Sequence, residues 1–329
     1  MEDEVPVRIF DDDPNIYISV FYRGWKWYYY NPDVKCLGEG AMGKVFLGFD
    51  YDTNQKVAIK QLFDKYANVR SIRDRARLEA SLTYSHPNLV EMQGCCMYED
   101  EEGYWHVWVL SKFVDGEIIN KYVSKLGDDA NRVPVIAGLI GQVLDALDYL
   151  HSKGVIHRDI KPSNIMVDRD RQVKLMDLGV ARVTGANSYT SNGFVGTPLY
   201  ASPEQIMRDK MQVQATPASD IYSLGMTMYV LLNGDHPFEA PTEAQILINQ
   251  VTKKLPASKA LEKKYKKLMN VIWKATDKDP ENRYQSAMEF KSAIERALTP
   301  ERSPWLRNII IILMMVGLSV LAAILKMIF

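Results

Sequence analysis

Glycines and a lysine in the first quarter of the chain have the types and spacing needed to hold a polyphosphate. Gly38, Gly40 and Gly43 carry no Cβ atoms, so the backbone there can approach phosphate oxygens and present N–H groups to them. Lys60 follows in an apolar stretch, where an unpaired ammonium group would be costly to bury. We therefore expect Lys60 to face a cleft and a negatively charged partner.

Acidic and amide side chains in the middle of the chain are suited to holding a divalent cation and positioning a hydroxyl group. Asp159 and Asn164 lie in the stretch His-Arg-Asp-Ile-Lys-Pro-Ser-Asn, and Asp177 begins the stretch Asp-Leu-Gly. Carboxylate and amide oxygens are hard ligands of the kind that Mg²⁺ prefers. Taken singly, each residue fits an ordinary loop or capping position. Their joint spacing argues against that interpretation.

The motifs stand in the same order as those of the eukaryotic-type protein kinases, and the chain resembles that family over residues 29–298. The stretches Gly-Ala-Met-Gly and Tyr-Ala-Ser-Pro-Glu-Gln are similar to those of bacterial members. The resemblance implies a bilobal α+β fold. The small lobe, residues 29–113, would be an antiparallel sheet with one main helix, and the large lobe, residues 114–298, would be mainly helical.

The resemblance also implies that the chain transfers the γ-phosphoryl group of ATP to serine and threonine hydroxyl groups of protein substrates. Asp159 would be the catalytic base, and Lys161, typical of the serine/threonine branch, would contact the γ-phosphate. Lys60 would bind the α- and β-phosphates, while Asn164 and Asp177 would hold Mg²⁺. The contacts expected to ATP are those of Leu37, Gly38, Gly40, Gly43, Val45, Ala58, Lys60, Lys112, Val114 and Met166.

The family places an acidic residue beside Lys60, and two registers of alignment with the family put different residues of this chain at that position. Glu79 is the acidic residue on the small-lobe helix expected near residues 69–84, whereas the family's usual interval before His-Pro-Asn leads to Arg77. We assign Glu79 to the catalytic set. If neither register holds, the pair is absent or forms only in an activated state. A membrane-anchored pseudokinase scaffold without turnover therefore stays as the alternative function.

Other motif residues are expected to support the large lobe. Glu204 should form a buried ion pair with Arg283, and Asp220 should anchor the backbone of the loop that carries the catalytic base. Two positions depart from the family pattern, since Leu178 replaces a phenylalanine and Ser202 replaces an alanine. The first exchange replaces one apolar side chain with another, so packing against the small-lobe helix stays possible, and the second is a minor departure. The presence of Glu204, Arg283 and Asp220 indicates an intact lobe.

The composition fits a large folded core and argues against some partners. The chain has 329 residues, of which 47% are hydrophobic, and this is ample for two lobes. A net charge of −1 suggests no nucleic-acid partner. The three cysteines form neither a disulfide framework nor a metal-ligand pattern, so we expect thiols in a reducing compartment. Residues 134–153 have the apolar spacing of an amphipathic helix.

Residues 1–28 form an acidic and then aromatic N-terminal extension. Residues 16–30 are rich in aromatic and β-branched side chains, which favour strand structure. Two interpretations stay open, namely an extra strand or flap packed on the small lobe and a docking surface.

An uncharged apolar run of 17 residues, 309–325, follows a short linker over residues 299–308. At about 1.5 Å per residue it predicts a single transmembrane helix in contact with lipid. Trp305, Arg307 and Lys326 flank the run as interfacial anchors, with the kinase domain expected on the cytoplasmic side. A small-xxx-small spacing within the run favours a homodimer that phosphorylates in trans. The competing interpretation is a buried core helix.

Overall fold

The computed structural model describes residues 6–21, 25–81, 84–127, 131–177, 189–190, 193–194, 198–211, 215–258, 261, 265–299 and 314. A β-rich small lobe precedes a mainly helical large lobe, so the predicted bilobal α+β fold is confirmed. Apart from Met314, the apolar run at 309–325 lies outside the described residues, as do Leu178 and linker positions 300–308. The expected boundaries of the domains stay predictions.

Eight strands of the small lobe form one antiparallel sheet. They are β1 (Val7–Phe10), β2 (Asp13–Phe21), β3 (Trp25–Tyr30), β4 (Gly38–Gly40), β5 (Gly43–Asp50), β6 (Lys56–Leu62), β7 (Met92–Glu99) and β8 (Trp105–Lys112). The spatial order is β1-β2-β3-β5-β6-β8-β7, with β4 paired to β5. Strand β3 crosses the expected domain boundary at residue 29, so the N-terminal extension is continuous with the sheet.

The N-terminal extension completes the core of the small lobe. The sheet curls until β2 approaches β7 at its other end, where the Cys96 thiol donates to the Pro6 carbonyl oxygen at 3.7 Å. Ile18 from β2 is fully buried among side chains of β3, β5, β6, β7 and β8. In the same core Trp108 Nε1 donates to Tyr30 Oη at 2.8 Å. The interpretation of this segment as extra strands is confirmed.

Two helices lie between β6 and β7, where the sequence predicted one. They are the short α1 (Asp64–Ala67) and the longer α2 (Arg70–Ser81). Helix α2 packs on β7 and β8 through a face that includes the buried Ala76. Leu62, Met92 and Val107 supply the other side of this second small-lobe core.

The large lobe is built on helices, with small sheets at its surface. The helices are α3 (Ile119–Ser124), α4 (Arg132–Ser152), α5 (Pro203–Met211), α6 (Pro217–Asn233), α7 (Glu243–Thr252), α8 (Lys266–Ala275) and α9 (Ala287–Leu298). Strands β9 (Gly116–Ile118), β10 (Ile165–Asp168) and β11 (Val173–Leu175) form a sheet in the order β11-β10-β9. Strands β12 (Tyr189–Thr190) and β13 (Gly193–Phe194) form a hairpin.

Helix α4 is the central helix of the large lobe and matches the helix predicted over residues 134–153. Leu139, Val143, Leu147 and Leu150 are all buried, and the helix packs on α6 and α9. Among the described residues, α4 is the one helix long and apolar enough to cross a membrane by length and composition. Half of its apolar window is buried in the lobe, as expected of a core helix.

A buried ion pair joins the start of α5 to the loop after α8, as the sequence predicted. Arg283 Nη1 and Nη2 donate to Glu204 Oε1 and Oε2 at 2.7 and 2.8 Å. Ser219 Oγ donates to the same Oε1 at 2.7 Å. Burial acts to raise the pKa of Glu204, but the hydrogen bonds and charge of Arg283 outweigh it and hold that pKa below its ordinary value.

Shortening Ile18 to alanine should lower the free energy of unfolding by about 2–5 kcal/mol, because it leaves a cavity in a core that both ends of the sheet share. Chemical denaturation of the full chain measures this. Ile9→Ala is the matched control: its side chain, on the neighbouring strand, is 70% exposed. It should change the free energy by less than about 0.5 kcal/mol. Equal effects of the two substitutions would contradict the shared core.

Candidate active site

One face of the β5–β6 hairpin carries the side chains expected to contact a nucleotide. Val45 pairs with Lys60 across the two strands, and Leu47 pairs with Ala58. Directly opposed residues of an antiparallel pair project from the same face of the sheet, as do residues two apart along a strand. The four side chains therefore share one face, while the residues between them point into the small-lobe core. Leu37 lies just before this hairpin and is half exposed.

The three loop glycines serve different purposes. A Cβ atom at Gly43 would lie 2.1 Å from the Gln61 carbonyl oxygen, so the packing of β5 against β6 requires glycine there. A Cβ at Gly38 would meet nothing within 4 Å, and one at Gly40 would meet only the Gly43 oxygen at 3.9 Å. The packing of the protein therefore does not demand glycine at positions 38 and 40. Their missing side chains instead leave open space at the loop.

The loop before β10 is held by Asp220, which projects from α6 and is fully buried. Its Oδ2 and Oδ1 accept the backbone N–H groups of His157 and Arg158 at 2.9 and 2.7 Å. His151 Nε2 lies 2.8 Å from Oδ2. Arg158 has a φ of 65°, a left-handed conformation that is uncommon outside glycine and here is stabilised by the bond from its own N–H. The predicted anchoring role of Asp220 is confirmed.

His157 connects this loop to the segment that ends at Asp177. The backbone N–H of Asp159 donates to His157 Nδ1 at 3.3 Å, so the ring donates from Nε2 to the Met176 carbonyl oxygen at 3.0 Å. The Met176 N–H in turn donates to the Asn164 carbonyl oxygen at 2.9 Å. These bonds bring Asp159, Asn164 and Asp177 to one cleft.

The Asp159 carboxylate is oriented by two neighbours. Lys161 Nζ lies 2.9 Å from Asp159 Oδ2, and Asn164 Nδ2 donates to the same oxygen at 3.0 Å. Asn164 Nδ2 also donates to the Asp159 carbonyl oxygen at 2.8 Å. With both donor hydrogens used, the amide presents Oδ1 as an acceptor, and within the described parts of the chain no donor contacts that atom.

Lys60 reaches across the cleft to the large lobe. Its Nζ lies 3.1 Å from Asp177 Oδ2, although the two residues are 117 positions apart in sequence. The charge of Asp177 raises the pKa of Lys60 against the opposing effect of burial, and Glu79 adds to the increase. Among the described side chains, Asp177 is the ion-pair partner of Lys60, and Glu79 acts at longer range.

Glu79 on α2 nevertheless lies within electrostatic reach of the cleft residues. Burial raises the pKa of its carboxyl group, and the charge of Asp177 raises it further, against the attraction of Lys60. Arg77, the residue that the other register of alignment would place beside Lys60, instead contacts β7, with its Nη2 at 3.7 Å from Met97 Sδ. Of the two registers, Glu79 is therefore the one within electrostatic reach of Lys60.

The cleft carries more carboxylate than ammonium groups in the part of the chain that the structure describes. Asp159, Asp177 and Glu79 all act on Lys60, and Lys161 is the other lysine in contact with this set. Open hard oxygens beside acidic groups suit a divalent cation, which Asn164 Oδ1 and the Asp177 carboxylate could hold. No cluster of three or more His, Cys, Asp or Glu side chains within the described ranges forms a metal site unaided.

The segment after β8 contributes backbone groups beside the sheet. The Lys112 N–H donates to the Glu91 carbonyl oxygen at 2.8 Å, while the Val114 N–H meets no acceptor among the described residues. Met166 lies half-buried on β10. A cavity of about 750 Å³ is lined by residues 84–87, 89–92, 112–115, 168–170 and 174. No residue of β5 or β6 lines this cavity, but Lys112 and Val114, two of the expected contacts to ATP, do.

Sequence reasoning missed two contacts that shape the site. The ring of His157 was given no role, although its fixed place beside Arg158 in the motif was a usable signal. Gln205 also lacked a role, yet its Nε2 donates to the Arg158 carbonyl oxygen at 3.0 Å and so links α5 to the catalytic loop, residues 157–164. Both contacts act through backbone atoms, which sequence motifs do not reveal.

A family model described as the protein kinase domain matches residues 32–294. The chain belongs to the protein kinase family. A crystal structure of the PknI kinase domain of Mycobacterium tuberculosis superposes on the kinase domain with a TM-score of 0.60 at 23% identity. The match covers 82% of this chain and 96% of that one, and it shows the fold.

Two curated relatives are named serine/threonine-protein kinases. PrkC of Bacillus subtilis (strain 168) is 30% identical over 273 residues, which cover 82% of this chain and 40% of the relative. PknB of Mycobacterium tuberculosis (strain CDC 1551 / Oshkosh) is 34% identical over 266 residues, which cover 79% of this chain and 41% of the relative. The kinase chain thus spans about two-fifths of the length of these relatives.

Replacing Glu79 with glutamine should stabilise the protein in a pH-dependent way in the absence of nucleotide and magnesium. Because the pKa of Glu79 lies above its ordinary value of 4.5, folding favours the protonated carboxyl group, and its contribution to stability falls as pH rises through the raised pKa. The Tm difference between Glu79→Gln and wild type should therefore grow from about pH 4.5 to about pH 8.

Thermal melts across that range measure the difference. Glu91→Gln, at an exposed carboxylate, is the control and should show no such growth. A Tm difference for Glu79→Gln that does not change with pH would contradict the electrostatic account of this carboxyl group.

Proposed function

We propose that this kinase transfers the γ-phosphoryl group of ATP to serine and threonine hydroxyl groups of protein substrates. The observation that carries the proposal is the convergence of Lys60, Asp177 and the Asp159–Lys161–Asn164 group on one cleft. The nucleotide face of β5 and β6 forms the small-lobe side of that cleft. The names of the curated relatives support the same reaction and the serine/threonine class.

Asp159 acts as the catalytic base in this proposal. Its carboxylate orients the substrate hydroxyl and accepts the proton as the hydroxyl oxygen bonds to the γ-phosphorus and the bond from that phosphorus to the leaving ADP oxygen breaks. Lys161 and Asn164 both contact Asp159 Oδ2 and so restrict rotation of the carboxylate. Positioning of this kind is the main contribution a protein makes to phosphoryl transfer.

The remaining cleft residues bind and orient the nucleotide. Lys60 binds the α- and β-phosphates, with Glu79 as the acidic group on the helix behind it. The open space at Gly38 and Gly40 admits the phosphates, and the unpartnered Val114 N–H is available to the adenine ring together with the Lys112 backbone. Leu37, Val45, Ala58 and Met166 pack on the ring. Asn164 and Asp177 hold Mg²⁺, which neutralises phosphate charge when bound.

The domain assignment forms part of the proposal. We assign the kinase domain to residues 29–298, with the small lobe at 29–113 and the large lobe at 114–298. A linker over 299–308 leads to a transmembrane helix at 309–325 that contacts lipid and holds the domain on the cytoplasmic side of a membrane. The uncharged composition of the run and its flanking Trp and basic residues support this anchor. The small-xxx-small spacing supports a homodimer that phosphorylates in trans.

Asp159→Asn should lower kcat for phosphate transfer by about 10²- to 10⁴-fold, because the amide cannot accept the hydroxyl proton. The assay follows transfer from γ-labelled ATP to a degenerate peptide library with a fixed central threonine. Asp170→Asn, an equal change at an exposed turn carboxylate, is the matched control and should keep wild-type activity. Wild-type protein without transfer, or an Asp159→Asn variant at full activity, would defeat the proposal; the first result favours the pseudokinase scaffold.

Deleting residues 309–325 should release the chain from membranes, because the other long apolar stretch, α4, is interrupted by Asp145 and Asp148 and is half-buried in the large lobe. Alkaline-carbonate fractionation of cells that express the full chain measures membrane retention. Val316→Lys combined with Val320→Lys should release it as well, since each central lysine costs about 2.5–3.5 kcal/mol on insertion scales. Val316→Leu with Val320→Leu is the control. Retention of the deleted chain would refute the anchor.

A further inference from the structure

A chain of hydrogen bonds runs beneath the turn that follows the activation segment, residues 178–197. The turn, Pro198–Tyr200, is a single 3-10 turn. Gln250 from α7 is fully buried and donates from Nε2 to the Leu199 carbonyl oxygen of this turn. The rings of Tyr200 and His236 meet edge to face at 5.1 Å on another side of it. The turn is therefore held by side chains from elements distant in sequence.

The direction of the hydrogen bonds is set by Lys278. Its Nζ donates to Tyr222 Oη at 2.9 Å and to the Gln250 carbonyl oxygen at 2.6 Å. An ammonium group can only donate, so Tyr222 Oη accepts a hydrogen bond from Lys278. The Tyr222 hydroxyl then donates its single proton to Gln250 Oε1, at 2.7 Å. With Oε1 directed to Tyr222, the Gln250 amide nitrogen must face Leu199. Lys278 thus determines which end of the amide meets the turn.

Lys278 occupies an unusual position for a lysine. Its Nζ lies 5.1 and 4.7 Å from the ring centroids of Tyr222 and Phe238, and it forms no ion pair with a carboxylate among the described residues. Burial lowers its pKa to about 8, with the nearby charge of Arg283 acting in the same direction. Keeping a cation here carries an energetic cost. An apolar residue at this position could not donate the hydrogen bonds that the Lys278 ammonium group makes to Tyr222 and Gln250.

The turn lies next to the catalytic loop. Two positions after Tyr200, Ser202 donates through its N–H and hydroxyl to Gln205 Oε1 at 3.1 and 3.0 Å. Gln205 Nε2 in turn donates to the carbonyl oxygen of Arg158, the neighbour of Asp159. These bonds connect the segment after the turn to the residue before Asp159, so we expect a protein segment whose hydroxyl reaches Asp159 to pass close to the turn.

We propose that Lys278, Tyr222 and Gln250 are positioning residues that hold the Pro198–Tyr200 turn as part of the surface that binds the protein substrate. The inference rests on the proposed function, because it assigns a peptide-binding role beside Asp159. The three residues act through the Leu199 carbonyl group and touch neither the nucleotide nor the reacting hydroxyl. Their effect should fall on the affinity for the peptide substrate and spare phosphoryl transfer.

Gln250→Glu is the sharpest test. The two side chains have nearly the same shape, and the carboxylate still accepts from Tyr222, but it cannot donate to Leu199. We expect KM for the best peptide of the threonine library to rise about tenfold, the upper range for one lost hydrogen bond, while kcat and KM for ATP change less than about twofold. Gln245→Glu, on the exposed side of the same helix, is the matched control and should leave all three constants unchanged.

Lys278→Met should raise the peptide KM in the same way, because Tyr222 is then free to reorient and the Gln250 amide loses its fixed direction. Lys278→Arg keeps a donor-only cation and should recover most of the wild-type KM. Lys274→Met removes an exposed lysine of α8 and should have no effect. A purely structural role for Lys278 would lower Tm and kcat together, without the selective change in peptide KM.

Amide hydrogen exchange of residues 199–202 gives a readout that needs no turnover. Gln250→Glu and Lys278→Met should speed exchange there, with no change in β5 and β6. Phosphate transfer by the wild type tests the proposed function, whereas exchange in the turn tests the positioning. Unchanged exchange in both variants, or a loss of kcat at an unchanged peptide KM, would overturn the inference.

Discussion

The buried carboxylate of Asp220 is the contact on which the geometry of the active site depends. It accepts the N–H groups of His157 and Arg158, and so stabilises a left-handed backbone conformation that a non-glycine residue rarely adopts. That conformation directs the next residue, Asp159, into the cleft. The ring of His157 then carries the same constraint to Met176, next to Asp177. One carboxylate on a core helix thereby sets the positions of residues on two separate loops.

The charge of the cleft accounts for the ligand it is suited to accept. The carboxylates of Asp159 and Asp177 meet Lys161 and Lys60 within the described residues, and Lys60 pairs with Asp177 of the opposite lobe. A polyphosphate alone would be repelled by the carboxylates, and a divalent cation alone would be repelled by the lysines. A nucleotide that brings its cation satisfies both sets of charges. The raised pKa of Glu79 has the same origin, since burial and its acidic neighbours both disfavour a further negative charge.

Local patterns predicted the elements that depend on neighbours in sequence. The apolar spacing of residues 134–153 gave the correct position of α4, because helical periodicity follows from residues three and four apart. The closure of the small lobe could not be read in this way. It joins Pro6 to Cys96 across 90 positions, and no local pattern records which edges of a curled sheet will meet. The partner of Lys60 was missed for the same reason, since Asp177 lies 117 positions away.

The sequence by itself determined the family, the two-lobed fold class and the set of polar residues in the cleft, because motif order and residue type are local properties of the chain. Only the tertiary structure decided that Asp177 contacts Lys60, that Gly43 serves strand packing, and that Lys278 reaches Leu199 through Tyr222 and Gln250. Each of these depends on the distance and direction between atoms of different elements. Such distances arise from the packing of whole helices and strands, to which residues far from every motif contribute.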